Sequence, residues 1–350
     1  MPAANDAQTS PPSQSKPTSQ SLGRKVKLAL RPLYRSVRDT ALLMRFGVYD
    51  LHRFWKHSGA IETHRTKSAI DADITKLYHA VEKGLALPQP RPGFGAHPIS
   101  LLCEHVAREI AEERVTYPVT RAIEALRAYA EFNDRNAEPN PHCVVNLLQS
   151  APRPAEAGHS QATRTISLAE IKAATDFDAD MFFSTRTSVR RFSAEPISQD
   201  QIERAARTAQ AAPSVCNRQT CKVHIVLDTA KRDALLEYQN GNRGFGDTIG
   251  ALAVVTSDLT HFLEPAERYQ PFIDGGLFAM NFILGLHAQA VGTCCLNWSV
   301  SDGSDKAFRR TLGLPESESV IMLIAIGALQ DEFEVARSPR KPLHDVLALH

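Results

Sequence analysis

Apolar residues recur three and four apart through much of the first 132 positions, the spacing of an amphipathic helix. Residues 23–58 carry such a row, including Val26, Leu30, Leu33, Val37, Val48 and Leu51, and predict one or two helices. Residues 68–85 and 98–132 show the same pattern, the latter through Leu101, Leu102, Val106, Ile110, then Val119, Ile123, Leu126 and Tyr129. Between them the run Pro88-Gln-Pro-Arg-Pro-Gly-Phe-Gly95 cannot be helix. In Tyr78–Leu85 the helix is expected to end with Gly84 just past its last turn and Lys83 at its C-terminus. Residues 134–163, with repeated Pro, Asn, Ala and Ser, read as a linker.

From about Ser167 the pattern alternates between helices and strands. Ser198 and Gln201 form a candidate capping box for a helix carrying Ile202, Ala205 and Ala209. Val223–Leu227 and Ala251–Thr256 read as strands, and Val320–Ile326 as a strand buried on both faces. Ile273–Val291 reads as a long Gly- and Ala-rich helix ended by Gly292. The fold class is α+β, one central sheet preceded by a helical extension. The expected division is a disordered tail over 1–22, a helical region over 23–133, a linker over 134–163 and the sheet domain over 164–350.

Composition narrows the functions. Lys and Arg total 40 against 39 Asp and Glu, so no global field points to nucleic acid. Locally, nine Lys/Arg stand between Arg24 and Lys56 against only Asp39 and Asp50. Such a stretch can lie on an anionic membrane surface, but docking on its own protein is the favoured expectation. Met1–Leu22 has no apolar core of a secretory signal, and no run of 18 apolar residues predicts a membrane span. Six scattered cysteines without a C-x-x-C fit a reducing cytoplasm rather than a disulfide framework or a zinc site. His79 and Glu82 share a helix face, but thirteen histidines make coincidence the better reading, and no metal is expected. The adjacent Cys294 and Cys295, and Cys216 and Cys221, read as small packing residues rather than redox groups.

The candidate chemistry sits in two segments. Arg186-Thr-Ser-Val-Arg190-Arg-Phe192 puts three guanidinium groups and two hydroxyls within seven residues. Ala212-Pro-Ser-Val-Cys-Asn217-Arg-Gln219 follows the capped helix with short polar side chains. Fixed cations suit a phosphate, and short hydrogen-bonding groups suit the polar edge of a ring. Alone, the first segment is a solvated basic face and the second an ordinary turn.

In order along the chain come Ala290-Val-Gly-Thr-Cys-Cys-Leu296, an apolar strand ending at Gly327, and Ser338-Pro-Arg-Lys-Pro342. With these the pair resembles the FMN-dependent nitroreductase family over roughly residues 180–347. Ala290 stands where the family favours a glycine, Thr220-Cys221 where it often has Pro-Trp, and Ser338 where some members carry a cation. The resemblance implies a mostly antiparallel sheet flanked by helices, and a homodimer with FMN at the interface. It implies that Arg186, Thr187, Ser188 and Arg190 contact the phosphate, ribityl chain and pyrimidine edge. Pro213 and Ser214 would meet the ring from the second subunit, and Asn217 the flavin or its ribityl chain. Gly292 and Thr293 would lie near the ring's reactive nitrogen, and Arg340 would close the phosphate site. The implied activity is reduction of a small conjugated acceptor by NADH or NADPH in a ping-pong cycle, with no catalytic side chain assigned. Two alternatives stay open: a different flavin chemistry on the same fold (fragmentation, dehalogenation or biosynthetic oxidation), and a non-catalytic flavin-binding scaffold of cell-envelope polysaccharide synthesis. The helical extension is expected to cover the flavin entrance and narrow the choice of substrate.

Overall fold

The computed structural model describes residues 20–152 and 162–350, with side chains from Leu30 onward. The chain falls into two compact units, residues 1–50 and 51–350. Helix α1, Gln20–His57, is a single 38-residue helix that runs through Pro32. The tail expected over 1–22 lies outside the described residues for positions 1–19, and Gln20 to Leu22 are already helical.

Within the second unit, α2 (Lys67–Leu85), α3 (Ala96–Ala111), α4 (Tyr117–Arg135) and α5 (His142–Ser150) form a bundle. Its core holds Ile74, Tyr78, Leu102, Val106, Ile123, Leu126, Tyr129 and Val144. The helix expected over 98–132 is broken at residues 112–116, where Glu113 takes φ 55° and Pro118 opens the next helix. Part of the expected linker is also corrected. Residues 142–150 are α5, because Val144 and Leu147 complete the bundle core; residues 153–161 lie outside the description.

Gly84 does not end its helix. It lies inside α2, where a Cβ would stand 2.2 Å from the Phe94 ring. Phe94 packs edge-on against Tyr129 at 5.1 Å, and Tyr129 Oη donates to the Phe94 carbonyl at 3.0 Å. The Pro-rich loop therefore folds back and seats its phenylalanine on the one residue of α2 that has no side chain.

The remaining elements build the sheet domain: α6 (Leu168–Ala174), α7 (Ala179–Thr185), α8 (Gln199–Gln210), β1 (Cys221–Val226), α9 (Thr229–Leu236), β2 (Ala251–Asp258), α10 (Gln270–His287), β3 (Val291–Leu296), α11 (Asp302–Leu312) and β4 (Glu318–Ala328). The four strands form one antiparallel sheet in the order β1-β2-β4-β3. On one face Ala205, Ala209, Ala279 and Phe282, from α8 and α10, pack on Ala253, Val255, Ile324 and Ile326. On the other, Leu235 and Phe308, from α9 and α11, pack on Val254 and Leu323. The capping box at Ser198 and Gln201 is present as expected.

The long helix expected over 273–291 stops at His287, and Gly292 sits in β3 rather than capping it. The chain reverses through Ala290 at φ 55°, the left-handed conformation that disfavours a side chain. That conformation accounts for a glycine at this place in the resembled family.

One buried network ties the start of β4 to β1 and the end of β2. Glu318, 3% exposed, accepts from Thr256 Oγ1 at 2.7 Å and Lys222 Nζ at 3.0 Å, and contacts His224 Nε2 at 2.6 Å. Burial alone would raise this carboxyl; the bonds from His224, Thr256 and Lys222 outweigh it and hold it down to about 2. A depressed folded-state value stabilises the fold above the unfolded glutamate's ~4.3, and the benefit is lost as pH falls through the folded value. Melting experiments between pH 5 and 2 should therefore show an acid-side loss of about 3 kcal/mol, and Glu318→Gln should flatten it. An unchanged acid limb in that variant would assign the loss elsewhere.

Candidate functional site

The Arg186–Phe192 segment lies along the outer edge of β3. Ser188 forms a parallel bridge with Thr293, the Val189 N–H donates to the Thr293 carbonyl at 2.9 Å, and the Ser193 N–H to the Ala328 carbonyl at 2.9 Å. Phe192, 4% exposed, is the anchor. Its ring covers Gly327, where a Cβ would meet ring and Cβ atoms at 2.4–2.7 Å, and Gly292, where a Cβ would meet it at 3.1 Å. These two glycines are direct partners across β3 and β4, so the sheet offers the ring a flat seat.

This anchoring fixes the arginines. Burial pushes the Cys294 thiol up and nearby Arg190 opposes it; the Cys295 thiol is likewise pushed up, against Arg186. The two guanidinium groups therefore flank β3. Among the described residues neither has an ion-pair or hydrogen-bond partner, although Arg186 is partly buried. Thr187 and Ser188 are partly buried beside them. Cys294 is buried and Cys295 exposed, on opposite faces of the strand, so the small-buried-residue expectation holds for Cys294 alone.

The second segment is strained. Cys216, Asn217 and Gln219 have φ of 51°, 54° and 50°, three non-glycine residues in the left-handed region within four positions. Asp274, 2% exposed on α10, holds this turn by accepting from the Val215 N–H at 3.1 Å, while Gln270 steadies its other oxygen at 2.8 Å. Ser214 Oγ accepts from the Gln219 N–H at 3.0 Å. Buried Arg218 donates to the His261 carbonyl at 2.8 Å and pairs with Glu267. The turn also touches the helical bundle side of this unit: Val215 joins Phe54, Leu259 and Phe262 in one apolar cluster. Pro213, Ser214 and Gln219 line a pocket of about 100 Å³ with Cys221, Asp274 and Phe278.

Several expected residues have other surroundings. Gly292 faces Phe192 and Leu329, and Thr293 is 4% exposed with its main chain spent on Ser188, Val189 and β4. Both support the arginine segment from within the fold. Arg340 is exposed and donates to the Ser338 carbonyl at 3.3 Å; among the described residues no contact joins it to Arg186 or Arg190. None joins Pro213, Ser214 or Asn217 to that segment either. His79 Nδ1 lies 3.0 Å from Glu82, and no group of three or more His, Cys, Asp or Glu suited to a metal occurs among the described residues. The sequence reading missed β3 and Asp274. A lone acid within the apolar stretch Pro271–Phe278 was the available signal for the latter.

Two substitutions separate the walls. Gly327→Ala drives a methyl into Phe192 and should cost about 1–3 kcal/mol in denaturant unfolding, with the Arg186–Phe192 amides losing exchange protection first. Asp274→Ala leaves the Val215 N–H unpaired and should cost about 1–3 kcal/mol, with the protection lost at residues 215–219 instead. Loss spread equally over both segments in either variant would contradict this division.

The sequence model of the nitroreductase family matches residues 183–243 and 237–328. A Vibrio harveyi protein named NADPH-flavin oxidoreductase is 25% identical over 169 residues, 46% of this chain and 68% of that protein. An Archaeoglobus fulgidus protein provisionally named NADH dehydrogenase/NAD(P)H nitroreductase is 27% identical over 151 residues, 42% of this chain and 83% of that protein. Among solved structures, an FMN-dependent nitroreductase from Clostridium difficile aligns with a TM-score of 0.39 at 21% identity, covering 45% of this chain and 91% of that one. Residues 183–328, the sheet with its arginine segment and polar turn, belong to the nitroreductase family.

Proposed function

We propose that the chain is an FMN-dependent oxidoreductase that takes reducing equivalents from NADH or NADPH and passes them to a small conjugated acceptor in a ping-pong cycle. The observation that carries this reading is the pair of guanidinium groups, Arg186 and Arg190, held on a nitroreductase-family domain beside β3 without a carboxylate partner among the described residues. Holding a partly buried cation such as Arg186 without counter-charge is costly unless an anion arrives, and exposed Arg190 adds a second positive charge beside it. A flavin phosphate, with charge near −2, fits that donor set. The relatives named for NAD(P)H and flavin support the same cofactor pair.

Arg186, Thr187, Ser188 and Arg190 hold the phosphate and the polar edge of the flavin. Gly292 and Thr293 serve by seating that segment on the sheet. When bound, FMN supplies reversible hydride chemistry, and its acceptor is a second, exchangeable substrate. Arg190 contributes a fixed positive charge that opposes protonation of whatever anion it faces. No side-chain acid or base is assigned to the reaction.

A second copy completes the site in this reading. Tyr269, Phe272, Ile273, Leu277 and Met280 form an exposed apolar row on and just before α10, on the helix that lines the Pro213–Ser214 pocket. A two-fold contact through that row would bring Pro213, Ser214 and Asn217 of one copy to the arginine segment of the other, and Arg340 to the phosphate from its exposed tail. The six free cysteines support a cytoplasmic setting.

The purified protein should retain added FMN through gel filtration and turn yellow, and NADH or NADPH should bleach it anaerobically. Arg186→Ala should weaken FMN binding roughly 10- to 150-fold, the loss of a charge-assisted bond worth about 1.5–3 kcal/mol. A protein that takes up no flavin would end the proposal. Flavin uptake unaltered in Arg186→Ala would remove that residue from the site.

A further inference from the structure

Helix α1 carries an unbroken apolar row along residues 30–48. Leu30, Tyr34, Val37, Ala41, Met44 and Val48 follow one another at alternating steps of four and three, the spacing of a single helix face. Leu30, Tyr34, Val37, Met44 and Val48 are 55–68% exposed.

The flank of the row is charged with one sign. Arg31, Arg38 and Arg45 recur every seven residues along one side, each directly following a row residue, and Arg35 stands just beyond them. The only acids of the helix, Asp39 and Asp50, lie on the far side from the row, Asp39 against its neighbour Arg38 at 2.8 Å.

We infer that this face of α1 lies on an anionic lipid surface, with the row sunk at the level of the headgroups and the arginines reaching phosphates. The charge pattern selects this occupant over a second copy of the helix. Packed antiparallel along the same row, two copies would set arginine flank against arginine flank; packed parallel, they would set it against Leu33, Thr40 and Gly47, which carry no acid. Only a partner negative along its whole length meets both features. A sheet of anionic headgroups does, and the long arginine stems can bury their methylenes while the heads stay wet. No helix among the described residues is long and apolar enough to cross a membrane, so the contact is a surface one. The inference stands apart from the flavin site, since it uses none of its residues.

The test is co-sedimentation of the full chain with vesicles of phosphatidylcholine alone and with phosphatidylserine at roughly a 2:1 ratio. Binding is expected to the mixed vesicles only, and to weaken steeply with salt. Val37→Asp with Val48→Asp should lower it at least tenfold, and each of Arg31→Gln and Arg35→Gln roughly fivefold. Leu43→Asp, on the opposite side and 72% exposed, should leave it unchanged and controls for folding and for charge. No binding to the mixed vesicles, equal binding to both, or binding indifferent to the Val37/Val48 pair would overturn the inference. So would a larger oligomer, seen by sedimentation velocity without lipid, that the Val37/Val48 pair dissolves, because the row would then be covered by a second copy.

Discussion

The seat of Phe192 on the Gly292–Gly327 pair is the contact on which the site depends. Two facing glycines leave a flat patch in a sheet otherwise dressed with Val, Ile and Leu, and a benzyl group fills it. Burying such a ring contributes on the order of 2–3 kcal/mol, enough to hold an otherwise exposed segment to an edge strand. The register follows from the seat. With Phe192 fixed, Ser188 must fall beside Thr293 and Val189 must donate to its carbonyl. Arg186 and Arg190 then fall close enough to the thiols of β3 for their charges to oppose the upward push of burial. Gly292 and Gly327 together shape the strand pair beside which the cations are carried.

The other wall is built on the opposite principle. The arginine segment is extended and unstrained, whereas the Ser214–Gln219 turn holds three side-chain-bearing residues in left-handed geometry. At about 1–3 kcal/mol each, that conformation would not persist alone. Asp274, Ser214 and Arg218 each tie one part of it, and two of the three are nearly removed from water. The polar groups of this turn are thereby fixed before any ligand arrives, which reduces the ordering cost of binding.

How far the sequence could be read follows the same lines. The two chemical segments, the three apolar strands, the capping box and the helical first half were legible because each rests on local periodicity or composition. What was missed depends on partners far away in the chain. β3 is short and rich in Gly, Thr and Cys, so only its pairing with β4 reveals it as a strand. Gly84 carries a helix-ending signature, yet Phe94, ten residues on, gives it a different reason to be glycine. Residues 142–150 have linker composition, yet Val144 and Leu147 alone suffice to dock them once a bundle core exists. Asp274 is a single letter in an apolar helix, and its meaning is the amide it reaches 59 positions earlier.

The helical bundle and the sheet domain share one compact unit, and the place where they meet bears on the site. Phe54 packs with Leu259, Phe262 and Val215, the first residue of the strained turn's helical twist. Ala69 and Ala72 of α2 pack on Leu263 close by, and Lys76 pairs with Glu264 at 2.7 Å. Arg53 reaches the carbonyls of Glu316 and Glu318 at 3.0 and 2.9 Å, tying the end of α1 to the start of β4. The bundle thus leans on the back of the polar turn, where apolar packing offsets backbone strain that Asp274 and Arg218 meet from the other side. A turn clamped from two directions can be held in a geometry that neither clamp would sustain alone. That gives the first half of the chain a physical stake in the second that does not require it to touch a substrate.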